Sequence, residues 1–201
     1  FKAVEENKLS LDTTISKYFP NIKNADKISI SNLLNHRSGI HSFTDNENYL
    51  SWNTQKKSEQ ELLKIIEDGG SNFEPDTKAD YSNSNYVLLS FILEKIYKKP
   101  YSEILQEKII KPIGLKNTYV GRKINLENNE AHSYIFENNW IKETETDLSI
   151  PLGAGAIVST PSDLLQFADA LFNGKIISEK SSKLMETIKD DYGSGLFQMP
   201  F

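Results

Sequence analysis

The chain has 201 residues, 38% of them hydrophobic and 25% charged, with a formal net charge of −5. That balance belongs to a globular chain long enough to bury a core, and it excludes an intrinsically disordered polymer. Acidic and basic residues are interspersed, so no basic stripe invites nucleic acid. No apolar run reaches bilayer length, and the lack of cysteine removes disulfides, thiolate catalysis and cysteine-held zinc.

Residues 1–8, FKAVEENK, have no capping residue before Phe1 and read as the last turns of a helix. The chain opens without methionine and carries no signal-peptide pattern, so a preceding segment is expected. Leu9 to Pro20 is a polar connection stopped by proline. Ser29 to His36 predicts a short helix with Ile30, Leu33 and Leu34 inward and Gly39 as its stop. A histidine beside a helix end commonly satisfies nearby backbone groups, and no second ligand stands at metal spacing. His36 therefore reads as structural, and His41 and His132 are equally isolated. Residues 42–57 predict a loop and a short helix carrying Tyr49 and Trp52. Ser58-Glu59-Gln60-Glu61 is a capping box that opens a helix through Leu62, Leu63, Ile65 and Ile66, ended by Gly69 and Gly70.

A loop over 71–80 delivers Tyr81-Ser82-Asn83, after which Tyr86, Leu89, Ile92, Leu93 and Ile96 recur at helical spacing. Ser82, Asn83 and Ser84 are all good N-cap types. Taken alone, the triplet reads as a turn and a helix cap. Tyr101 to Ile110 predicts an amphipathic helix closed by Pro112. Thr118–Val120, Ser133–Phe136 and Trp140–Ile141 suggest short strands among polar turns. Gly153-Ala154-Gly155-Ala156 allows close backbone approach. Thr160-Pro161-Ser162-Asp163 is a complete helix start, with Gly174 as the stop. Ser178 caps a last helix through Leu184 and Ile188, and Tyr192–Phe197 reads as the entry to a strand.

Several segments together carry a resemblance. Asn7–Asn21, LLNHRSGI (Leu33–Ile40), Tyr81–Thr118 and GAGAIVSTPSDLLQFADALFNGKIIS (Gly153–Ser178) closely resemble, in order, the serine β-lactamase-like family. That family joins class C β-lactamases, D-alanyl-D-alanine carboxypeptidases and related esterases. The resemblance implies a mainly α chain with a few short strands: the helical region of the β-lactamase/transpeptidase-like α+β fold, with its sheet domain largely missing. Residues 1–201 would form a single partial domain of that kind. Its exposed sheet contacts would favour self-association, and the family suggests a periplasmic or cell-envelope setting.

Acyl transfer by a serine needs a nucleophile, a base and donors for the oxyanion. In the family, Ser-x-x-Lys supplies the first part. No such match occurs in this chain, and the nearest pattern, Ser178-Glu179-Lys180, has the wrong spacing. The resemblance places the nucleophile about three helical turns upstream of Phe1. It makes Tyr81 the general base or proton relay and Asn83 the amide that holds the lysine and the substrate amide. A phenol ordinarily titrates near about 10, so Tyr81 acts as a base only beside a cation such as that lysine. One departure stands out: Pro75-Asp76 occupies a place where the family often has proline-glycine. The expected partner is a small-molecule or peptide substrate: a β-lactam, a D-Ala-D-Ala peptide or an ester. No metal or cofactor is implied, and residues 1–201 alone are expected to be inactive. Two alternatives stay open: a non-catalytic binding or scaffold protein on the same helical frame, and Ser38 as a substitute nucleophile.

Overall fold

The computed structural model describes residues 1–199. Helix α1 (Lys2–Glu5) is short and ends as Asn7 turns left-handed at φ 55°. After a bridge between Thr14 and Ser29 comes α2 (Ile30–Leu34). Ser29 and Asn32 close a reciprocal box at its start: the Asn32 amide donates to Ser29 Oγ at 3.2 Å and the Ser29 amide to Asn32 Oδ1 at 2.9 Å. This helix ends earlier than its apolar pattern suggests. His36 takes φ 57°, which turns the chain so that the Arg37 amide caps Asn32 O at 2.8 Å. The stop is therefore His36, not Gly39. Gly39, at φ 77°, instead lets the loop lie on Phe73, whose carbonyl oxygen would sit 2.1 Å from any Cβ added there.

Helices α3 (Tyr49–Trp52) and α4 (Glu59–Gly69) follow, the latter opened by the Ser58–Glu61 box and closed by Gly70. Helix α5 (Asn83–Tyr97) is the axis of the chain. Val87, Leu88, Phe91 and Ile92 are its most buried apolar side chains, while Leu89 and Ile96 only flank the core. The buried arc is wider than one amphipathic stripe, because other elements cover α5 on several sides and Ser84, Asn85 and Ser90 are enclosed with it.

Helix α6 (Tyr101–Leu105) does not stop at Pro112. It passes through a widened π turn, Gln106–Ile110, into α7 (Lys111–Ile113), and ends where Gly114 turns left-handed at φ 72°. The wider turn accommodates a proline that has no amide hydrogen and whose ring crowds the preceding turn.

The strands are short. β1 (Tyr119–Val120) pairs antiparallel with β4 (Ile157–Val158), and β2 (Tyr134–Glu137) forms a hairpin with β3 (Asn139–Lys142). In the hairpin Ile135 faces Ile141 and Phe136 faces Trp140, about an Asn138 turn at φ 64°. Helix α8 (Pro161–Phe172) starts at Thr160, which accepts the Asp163 amide, and stops at Gly174. Helix α9 (Glu179–Met185) starts at Ser178 but ends short of Ile188. Residues 189–197 make isolated bridges, Lys189–Tyr192 and Tyr192–Phe197, in place of a regular strand.

Most of the core gathers around α5: Ile15, Phe19, Ile28, Leu33, Phe43, Leu62, Ile66, Leu88 and Ile150 are all buried. A smaller cluster, Ala170, Leu171, Ile176 and Ile177, fastens the end of α8. Apolar surface is also left exposed. Phe136 and Trp140 on the hairpin and Leu165 and Phe172 on α8 are open to solvent. Among the described residues, no helix is long and apolar enough to cross a membrane.

Leu88 is fully enclosed. Leu88→Ala is expected to cost about 2–5 kcal/mol in chemical denaturation, whereas Leu165→Ala, on the exposed face of α8, should fall within about 0.5 kcal/mol of the parent.

Candidate active site

The start of α5 is held by the loop that follows α2. The Ser82 amide donates to His36 Nδ1 at 3.1 Å, and the Asn85 side-chain nitrogen lies 3.2 Å from the same atom. Asn85 Oδ1 in turn accepts from Ser38 Oγ at 2.6 Å, and Ser38 Oγ accepts the Ile40 amide at 3.1 Å. His36, Ser38, Ser82 and Asn85 are all buried. A nitrogen that accepts two donors carries no proton, so His36 is the neutral tautomer with hydrogen on Nε2. Burial supports the same state, holding the His36 pKa down at about 4.

At the residue after Ser82, two hydroxyls fasten Asn83. Its amide donates to Ser42 Oγ at 3.1 Å and its side-chain nitrogen to Thr44 Oγ1 at 3.0 Å. Ser42 and Thr44 are themselves bonded at 2.9 Å. Ser84 Oγ donates to His41 O at 2.6 Å and accepts the Phe43 amide at 3.1 Å. The side chains of Asn83, Ser84 and Asn85 thus all bond to the 36–44 loop.

Tyr81 stands at the edge of this assembly. It is 54% exposed, so its phenol is available to a ligand while its ring rests on His36 at a centroid distance of 4.4 Å. Its hydroxyl donates to Asn83 Oδ1 at 3.4 Å, a long bond that brings the two sequence-predicted site residues together. Among the described residues Tyr81 has no cationic partner by hydrogen bond or ring contact. His36, Tyr81, Tyr86, Tyr192 and Phe197 line a hollow of about 260 Å³, with Gly153 and Ala154 on its wall. Burial raises the Tyr86 pKa, and Tyr86 spends its hydroxyl proton on Leu34 O at 2.8 Å, so Tyr86 is a wall and not a proton carrier.

Pro75-Asp76 finds its explanation here. Asp76 adopts φ 65°, the left-handed region that glycine enters freely and that aspartate tolerates better than most residues. Its carboxylate accepts from Arg37 Nε at 2.6 Å, and that bond first of all holds the Asp76 pKa below its ordinary value. The aspartate keeps the glycine-like turn and adds an ion pair.

Ser38 does not serve as a substitute nucleophile: the residue is 1% exposed and its hydroxyl is bonded to Asn85. A larger hollow of about 820 Å³ lies beyond Gly155 and Ala156, lined by Lys116, Arg122, Glu130 and Glu145 among others. Glu130 there is bonded to the Tyr119 hydroxyl and the Asn125 amide, and Glu145 accepts the Ile124 amide at 3.0 Å. Neither Tyr81 nor Asn83 reaches it. Among the described residues no cluster of histidine, aspartate and glutamate is arranged to hold a metal.

Comparison with known proteins assigns the chain to a family. The family described as Beta-lactamase matches residues 1–195, and the chain belongs to it. It is 30% identical over 199 residues to a candidate penicillin-binding protein, PbpX, of Bacillus subtilis (strain 168), covering 98% of this chain and 49% of that protein. It is 24% identical over 203 residues to the teichoic acid D-alanine hydrolase of Staphylococcus aureus, again 98% of this chain and 49% of that protein. Among solved structures, the D-amino acid amidase from Ochrobactrum anthropi SV3, complexed with L-phenylalanine, superposes with a TM-score of 0.85 at 32% identity. The match covers 99% of this chain and 61% of that one. The chain thus spans about half the length of the curated relatives it matches.

The neutral state of His36 has a consequence for stability. Unfolded histidine titrates near about 6.5, and the folded value lies at about 4. The unfolded chain therefore binds the proton first, and stability falls as pH drops from about 6.5 toward 4. Between pH 6.5 and 4.5 the loss attributable to His36 is about 2 kcal/mol. Denaturation curves at the two pH values should show this slope in the parent and its disappearance in His36→Gln.

Proposed function

We propose that the complete protein is a serine hydrolase that opens an amide or ester bond through an acyl-enzyme, with its Ser-x-x-Lys upstream of Phe1. The single observation that carries this reading is the pairing of a half-exposed Tyr81 phenol, which lines the hollow, with an Asn83 amide fastened by Ser42 and Thr44. In the proposed first step the upstream serine oxygen attacks the substrate carbonyl carbon and its proton passes to Tyr81, held as phenolate by the adjoining lysine. Collapse of the tetrahedral intermediate breaks the bond to the leaving amine or alcohol, which takes the proton back from Tyr81. Water then attacks the ester carbonyl, gives its proton to Tyr81, and releases the acid as the serine oxygen is reprotonated. Asn83, with two donors and an acceptor, bridges the lysine and the substrate amide.

Open apolar space beside Phe1, enough for side chains of a preceding helix, supports this reading. An apolar hollow of about 170 Å³ runs from Phe1 and Val4 past Leu89 and Leu93, and Tyr86 and Gly153 line both it and the Tyr81 hollow. Two of the named relatives are a teichoic acid D-alanine hydrolase and a D-amino acid amidase, and a third is named for penicillin binding, which supports a D-aminoacyl ester or amide, a D-alanyl peptide or a β-lactam as the substrate class here. Residues 1–201 alone are inactive on this reading. The exposed hairpin residues Phe136 and Trp140 favour self-association.

In a form that includes the upstream segment, a fluorophosphonate should add to one serine. Tyr81→Phe should lower kcat/KM by about 10²–10⁴ with little change in melting temperature, because the phenol hydroxyl is exposed. An unlabelled longer chain would favour a non-catalytic binding protein, and unchanged turnover in Tyr81→Phe would remove the base assignment.

A further inference from the structure

The loop that seats α5 also carries a buried cation. Arg37 is 3% exposed, and its guanidinium reaches outward in two directions. Toward one side Nε donates to Asp76 Oδ1 at 2.6 Å, and a terminal nitrogen donates to the Asp76 backbone carbonyl. Toward the other side the remaining terminal nitrogen pairs with the Asp190 carboxylate. Lys189 closes the figure with a 3.3 Å pair to Asp76.

These contacts tie together parts of the chain distant in sequence. Asp76 belongs to the loop that delivers Tyr81. Its amide donates to Arg37 O at 2.8 Å, and the Asp80 amide donates to His36 O at 2.9 Å. Asp190 opens the segment that brings Tyr192 edge-on to His36, at 5.2 Å between centroids, and Tyr192 onto Phe197 at 5.1 Å. Apart from Arg37, the fastenings of that segment are few: the exposed Lys189–Asp76 pair at 3.3 Å, the Ser194 amide to Met185 O at 2.9 Å, a long Gly195 to Leu34 O bond at 3.4 Å, and bonds within its own turn. One planar fork thus joins the loop that leads into Tyr81 to the segment that carries Tyr192 and Phe197, a geometry that the single ammonium of lysine does not reproduce.

We propose that Arg37 is a positioning residue that clamps the 74–80 loop, which leads into Tyr81, to the 189–197 segment, which carries Tyr192, Gly195 and Phe197, so that these two walls of the hollow are held relative to each other chiefly by one buried guanidinium. The meaning of those walls as substrate walls rests on the serine-hydrolase reading above; the clamp itself does not.

Amide hydrogen exchange on residues 1–201 tests the clamp without any need for activity. Asp190→Asn removes one arm at a half-exposed carboxylate and leaves the rest of the network in place. It should speed exchange at Ser194 and Gly195 by about tenfold or more while the α5 amides around Leu88 and Ile92 keep parental protection. Asp190→Glu should restore part of the protection. Arg37→Lys should loosen both walls, adding faster exchange at Asp76 and Asp80. Parental exchange at Ser194 and Gly195 in Asp190→Asn would overturn the proposal. So would an equal rise across α5, which would make the network a general contributor to stability. In the longer, active form the same Asp190→Asn should raise KM with kcat nearly kept. If exchange responds as stated and no turnover is found in any form, the clamp stands and the enzymatic reading fails.

Discussion

The arrangement of the site depends on one unprotonated nitrogen. His36 Nδ1 receives the Ser82 amide and the Asn85 side chain, all three residues being buried. Ser82 is the residue between Tyr81 and Asn83, so this contact fixes the backbone of the triplet at the first turn of α5. A protonated ring would place the Nδ1–H against two donors in a buried space, at the cost of unsatisfied polar groups. The imidazole is also the surface on which Tyr81, Tyr86 and Tyr192 pack, at 4.4, 5.2 and 5.2 Å. The same small ring therefore sets where the helix begins and where its phenol lies.

Around this point the loop from His36 to Thr44 works as a template for α5. Ser38, Ser42 and Thr44 each spend a hydroxyl on the asparagines or on the loop itself. Asn83 and Asn85 lie on different sides of the turn and answer different needs. Asn85 is fully buried and structural, whereas Asn83 keeps partial exposure beside the hollow. This division explains how a site can be rigid without being closed: the bonds that hold it run inward, and the groups left for chemistry face out.

Much of this was readable in the chain. Capping boxes at Ser58 and the Thr160-Pro161 start are local chemistry and appeared where that chemistry placed them. The short strands expected at Ser133–Phe136 and Trp140–Ile141 are present, and the fold pairs them as a hairpin. The errors came where distant contacts overrode local preference. Pro112 failed to end a helix because a π turn absorbed its ring. Gly39 failed to end α2 because His36 had already turned the chain and Gly39 was needed against Phe73. The site residues Tyr81 and Asn83 came from motif resemblance, yet nothing in their spacing pointed to His36, Ser42, Thr44 or Asn85 as their supports. Those partners lie about 40 or more residues away in sequence, and only the fold joins them. The Arg37 network is equally silent in sequence, although the aspartate in a glycine-like position at Asp76 was its one visible trace.

Direct observation of the His36 ring is the most immediate test. Nitrogen NMR of the imidazole at pH 7 should show Nδ1 without a proton and Nε2 with one, and this state should persist as the pH is lowered through 6 toward about 5, given a pKa held down at about 4. A proton on Nδ1 at pH 7, or titration at the value of a free histidine, would contradict the central claim that an acceptor nitrogen at His36 seats the Tyr81–Asn83 triplet.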